Sequence, residues 1–107
     1  PHPILRRDGN DLEMDVPLTV LEAMQGTTIT VPTPSGDVKV KVPANARPGQ
    51  RLRLKGRGIQ SRLPGHLYLI LQPTVPQTDD PDVLVAAQRL EEAYVVPVRS
   101  KLRLELQ

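Results

Sequence analysis

The sequence predicts an all-β sandwich of two short sheets, with one two-turn helix and a second helix towards the C-terminus. Three observations predict it. At least four segments alternate apolar and polar residues with a period of two, the repeat of a half-buried strand. Twelve prolines and seven glycines punctuate them, which opposes long helices and supplies fixed turns. The 107 residues include no Phe, no Trp and two Tyr, so the core has to be built of Val, Leu and Ile. A single domain of this size buries roughly two-thirds of its unfolded surface.

Pro1 to Asp11 reads as an entering strand and turn. From Asp11 to Val16 the chain alternates, with Leu12, Met14 and Val16 on one side and Asp11, Glu13 and Asp15 on the other. Thr19-Val20-Leu21-Glu22 fits a capping box, in which the Thr19 hydroxyl accepts the Glu22 amide and the Glu22 carboxylate accepts the Thr19 amide. Leu18 and Ala23 stand at the two staple positions. The helix is expected over Val20–Gln25, with Gly26 as the left-handed residue after it. The capping role accounts for Glu22 without any catalytic one.

Thr28–Pro32 and Val38–Val42 read as a hairpin joined by Pro34-Ser35-Gly36-Asp37. Ile29, Val31, Val38, Val40 and Val42 point inward, and Thr28, Thr30, Lys39 and Lys41 outward. Arg47-Pro48-Gly49-Gln50 is a type II turn signal: Pro48 pre-sets φ, and Gly49 takes the positive φ that must follow. Arg51 and Arg53 then alternate with Leu52 and Leu54. Gly56 and Gly58 end that strand, where a side chain would block a bend or a close backbone approach. Gln60 to Gly65 is a loop. Leu67, Leu69 and Leu71 share one face of the next strand and Tyr68 and Ile70 the other, so this strand is expected to be central.

Pro73 to Pro81 reads as a proline-rich exit. Asp80 is placed to cap a helix with Pro81 at its first position. Val83, Ala87, Leu90 and Tyr94 form one apolar stripe, and Pro97 stops any helix before it. Lys101 to Gln107 alternates again and reads as a short strand or extended tail.

The net charge is +2, but the stretch from Lys39 to Arg62 holds eight basic residues and no acidic one. Without Cys there is no disulfide and no thiolate metal site. No signal peptide and no membrane-spanning apolar run stand out. The chain does not begin with Met and is expected to be part of a longer protein. No nucleophile elbow, H-E-x-x-H pair or G-x-x-x-x-G-K-[ST] loop occurs, so no catalytic residues, cofactor or metal are expected. His2, between two prolines, reads as a solvated terminal residue. His66 has no second ligand at metal spacing.

Several stretches together resemble the DnaJ (J-domain co-chaperone) family, specifically the second β-rich repeat of its C-terminal substrate-binding region. They are PHPILRRDGNDL, P-L-T-V-L-E-A-M-Q-G, V-P-T-P-S-G with Pro43, the turn with L-R-L-K-G-R-G, and Gly65-His66-Leu67-Tyr68. The likeness covers Asp11 to Pro76. Leu5 stands where the family has an aromatic, and His66 where it usually has Asp. A carboxylate there would bond nearby backbone amides, a geometry His66 is not expected to copy. The Pro1-His2-Pro3 run is not the His-Pro-Asp signature of a J domain.

The resemblance implies a non-enzymatic co-chaperone fragment: residues 1–76 a peptide-binding sandwich and residues 77–107 a dimerisation segment or tail. It implies capture of unfolded client polypeptide for a DnaK-type chaperone, reached through a J domain elsewhere, in the cytoplasm. By analogy with the first repeat, the client groove falls on Met14, Val16, Ile29 and Val31. Alternation alone assigns those four residues to the core. The stripe Val83, Ala87, Leu90, Tyr94 is the candidate homodimer contact, with docking on its own domain as the alternative. A nucleic-acid reading rests on Lys39, Lys41, Arg51, Arg53, Lys55 and Arg57, which in a solvated strand face look the same. In a third reading this half is a spacer and dimer module, and the first repeat captures clients.

Overall fold

The computed structural model describes residues 5–102 and divides into two compact units, residues 1–76 and 77–107. The order is β1 (Leu5–Asp8), β2 (Asp11–Thr19), α1 (Val20–Gln25), β3 (Thr27–Thr33), β4 (Gly36–Val42), β5 (Arg51–Leu54), β6 (Leu67–Thr74) and α2 (Pro81–Glu91). His2 and most of the alternating tail lie outside the described residues. Its first two residues, Lys101 and Leu102, form no strand.

In the first unit, β1, β2, β6 and β5 make a sheet in that order, and β3 pairs with β4 in a second. As the two-faced apolar pattern requires, β6 is interior: it runs parallel to β2 and antiparallel to β5. Leu67, Leu69 and Leu71 are fully buried. Leu12, Leu67 and Leu69 from the four-stranded sheet pack with Val31 and Val40 from the hairpin, so the sheets meet face to face. A second cluster joins Leu18, Ala23, Val42 and Leu71 and fixes α1 to the end of the sandwich.

The α1 cap is as read from sequence: Glu22 N–H donates to Thr19 Oγ1 at 3.1 Å and Thr19 N–H to Glu22 Oε1 at 2.9 Å. Gly26 differs from expectation. Its φ is +84° but its ψ is 165°, an extended conformation essentially confined to glycine and not the left-handed helical one. The reason is the chain packed beside it, since a Cβ there would lie 2.8 Å from the Val42 carbonyl oxygen.

Two strands outrun their expected ends. β2 continues past Val16 to Thr19, and β6 past Leu71 to Thr74, pairing Pro17 with Gln72 and Leu18 with Pro73. Pro73 sits where its outer neighbour has already ended, because β5 pairs only as far as Ile70. A strand edge tolerates a missing N–H.

In the second unit, Asp80 caps α2 by accepting the Asp82 N–H at 2.9 Å, with Pro81 at the first turn. The regular helix stops at Glu91, three residues before Tyr94. Tighter i→i−3 bonds from Glu92, Ala93 and Tyr94 carry the winding on. Val95, Val96 and Pro97 follow, and the residue before a proline is steered out of the helical region.

Candidate peptide-binding groove

At one edge of the sandwich the two sheets leave an apolar groove of about 410 Å³. Leu5 of β1 and Met14 of β2, directly opposite each other in register, form one wall. The run Pro32-Thr33-Pro34 at the end of β3 forms the other, and Leu12 and Leu67 close the base. The alternation that buries Leu12 and Leu67 against Val31 also turns Leu5 and Met14 to the same side. Among the described residues β1 ends the sheet and pairs on one side only, so its other edge has backbone groups open to an added strand.

Of the four residues expected to line a client groove, the structure brings only Met14 to this one. Val31 is 2% exposed and belongs to the core. Val16 and Ile29 are half-buried and pack against both core clusters. Leu5, Pro32 and Pro34 were not foreseen as lining residues. Pro32 carried a usable signal, since a proline inside a strand marks an edge.

The outer face of the four-stranded sheet is a charged lattice. Arg6 grips Asp15 with two bonds, Nη2 to Oδ1 at 2.8 Å and Nη1 to Oδ2 at 2.9 Å. Its Nε reaches Glu13 Oε1 at 3.4 Å, and Glu13 Oε2 accepts from Arg51 at 3.2 Å. The Arg6 hydrogen bonds hold the Asp15 carboxyl below its ordinary range, and the Asp15 carboxylate raises the Arg6 guanidinium. Arg51 also lies 4.4 Å over the Tyr68 ring, a cation–π distance.

The six basic residues considered for nucleic acid do not form one stripe. Lys39 and Lys41 alternate with the buried Val40 and Val42 on the outer face of the hairpin. Arg51 and Arg53 face outward from the other sheet. Lys55 is in the turn after β5, and Arg57 donates to Ser35 Oγ at 2.9 Å. The cations alternate outward on two sheets that pack against each other, so they are spread over separate faces.

His66 is corrected as well. Its Nδ1 accepts the Gly56 N–H at 2.9 Å, so an imidazole does meet a backbone amide there. Among the described residues no cluster of His, Asp and Glu is arranged to hold a metal, and no helix is long and apolar enough to cross a membrane.

Residues 1–76 match the family model described as the DnaJ C terminal domain. This chain belongs to the DnaJ C-terminal domain family. It is 41% identical over 100 residues to a protein named Chaperone protein DnaJ 2 from Mycolicibacterium paratuberculosis, covering 94% of this chain and 25% of that protein. It is 38% identical over 94 residues to Curved DNA-binding proteins from Escherichia coli O1:K1 and Shigella flexneri, covering 87% of this chain and 31% of theirs. The chain thus spans a quarter to a third of these curated relatives, and the resemblance read from L-R-L-K-G-R-G and its neighbours is a true membership in a chaperone family.

Proposed function

We propose that this DnaJ-family chain holds extended apolar stretches of unfolded client polypeptide along the open edge of β1. An aliphatic client side chain enters the groove between Met14 and Pro34. The observation that carries the reading is the union of an apolar groove and an unpaired strand edge. Main-chain bonds then supply sequence-tolerant affinity and the groove selects an apolar side chain. No chemistry is done on the client. A J domain elsewhere in the parent protein would pass it to a DnaK-type chaperone in the cytoplasm.

The test is a titration of a fluorescent aliphatic peptide against the chain and against Met14→Asp and Leu5→Ser, with circular dichroism to establish that each variant is folded. Filling the groove with one aliphatic side chain is worth on the order of 1.5–3 kcal/mol. Each folded variant should therefore bind about tenfold weaker or worse. Unchanged affinity in both would put the client elsewhere.

Pairing of two chains through α2 is the second part of the proposal. Val83, Leu90 and Tyr94 are 40%, 36% and 59% exposed, and Ala87 is exposed too. A helix this short is marginal alone in water. The same patch on two chains can meet across a two-fold axis.

A second reading, nucleic-acid binding, is favoured by the name of the Escherichia coli relatives. For this chain it would engage either Lys39 and Lys41 or Arg53 and Lys55, on separate faces. Steep loss of affinity with salt would distinguish it from apolar peptide binding.

A further inference from the structure

Four arginines of this domain fall into two pairs that differ in what orients them. On the outer face Arg6 and Arg51 are paired with carboxylates. Two others, beside residues that line the groove, are held by neutral oxygens. Arg7 lies two residues after Leu5 on the same side of β1, opposite Leu12 in register, and its Nε donates to the Gly9 carbonyl at 2.7 Å. Arg57 reaches the other wall, donating from Nη1 to Ser35 Oγ at 2.9 Å, next to Pro34. Among the described residues neither has a carboxylate partner. Each guanidinium is thus positioned by one bond and keeps other N–H donors and its charge, and each stands next to a residue that lines the groove, Arg7 opposite Leu12 and Arg57 at the neighbour of Pro34.

We propose that the groove selects client segments in which acidic residues flank an aliphatic one. The inference rests on the client-groove reading above. The aliphatic side chain fills the space between Met14 and Pro34, and the neighbouring carboxylates meet Arg7 on the β1 side and Arg57 on the hairpin side. The planar guanidinium suits this, because its fork matches a carboxylate. Side chains alternate across a bound strand, so the groove residue and one two positions away face the domain together. A Leu-x-Glu or Glu-x-Leu spacing fits Leu5 and Arg7, which stand two apart themselves. Segments rich in Lys or Arg are disfavoured at the same site by like charge.

The experiment compares two fluorescent peptides, one with Glu two residues before and after a central Leu, the other with Gln in both places. Exposed ion pairs are weak singly, so the Glu peptide should bind the chain about three- to tenfold tighter at low salt. Rising salt should erase the difference through screening. The double variant Arg7→Gln, Arg57→Gln should bind both peptides alike, at the level of the Gln peptide. Should the double variant be unfolded by circular dichroism, the salt series on the unaltered chain decides in its place. Equal affinity for both peptides at low salt overturns the inference while leaving the groove reading intact. Binding of neither peptide removes both.

Discussion

The Nδ1 atom of His66 accepts the backbone N–H of Gly56 across 2.9 Å, joining the end of the turn after β5 to the start of β6. The His66 N–H in turn donates to Asp11 Oδ1 at 2.8 Å, which ties the same point to β2. The imidazole accepts only through a nitrogen that carries no proton. His66→Leu leaves a partly buried amide unpaired and should cost about 1–3 kcal/mol. His66→Asp restores a carboxylate acceptor and should cost less. Urea midpoints of the two variants check the order; equal losses would show that the bond contributes nothing.

Gly49 has φ +79°, and Gln50 N–H donates to the Arg47 carbonyl at 3.1 Å, a type II turn as expected. Space around it is open, so the penalty for a side chain is conformational alone. Gly49→Val should destabilise by roughly 1–3 kcal/mol. Gly58 is the opposite case, because a Cβ there would lie 2.5 Å from Asn10 O and 2.6 Å from His66 O. Backbone must move to admit it, so Gly58→Ala should lower the urea midpoint more than Gly49→Ala.

The Asp15 carboxyl is held below its ordinary range chiefly by its hydrogen bonds to Arg6. A lowered folded-state pKa favours the folded state fully above the unfolded value of about 4, and that contribution is lost as pH falls through the lower folded value. Between neutral pH and acid, Asp15→Asn should therefore flatten part of the stability loss. The pair is exposed, so salt should shrink the effect. Superimposable acid-unfolding curves would contradict it.

For the proposed pairing through α2, sedimentation of the whole chain is compared with a chain truncated after Pro76. The whole chain should associate with rising concentration and the truncated one should stay monomeric. Monomers in both would remove the dimer proposal.

The sandwich was legible because its signals are local. The Leu67-Leu69-Leu71 row, the Thr19–Glu22 cap and the Arg47–Gln50 turn each follow from side chains within a few residues. The Gly58 constraint was legible only as a type of reason, since its contacts with Asn10 and His66 join distant parts of the chain. The groove was harder for the same cause. Met14 and Val31 alternate in identical fashion, yet Met14 sits beside the short edge strand β1 and Val31 beneath Leu12 and Leu69. Which inward position stays open is decided by where the sheet ends, and a period of two carries no record of that. The six basic residues stand close together in the sequence, yet Lys39 and Arg51 belong to different sheets, a separation the sequence does not display.

Amide chemical-shift mapping gives the most direct test of the groove. An aliphatic peptide is titrated into the isotope-labelled chain, and the perturbed backbone amides are located. Binding along β1 should move Leu5, Arg6, Arg7, Met14 and Thr33 first and most, and leave Lys39, Lys41 and the α2 amides in place. Perturbations confined to α2, or to the outer faces carrying Lys39 and Arg53, would contradict a client groove between Met14 and Pro34.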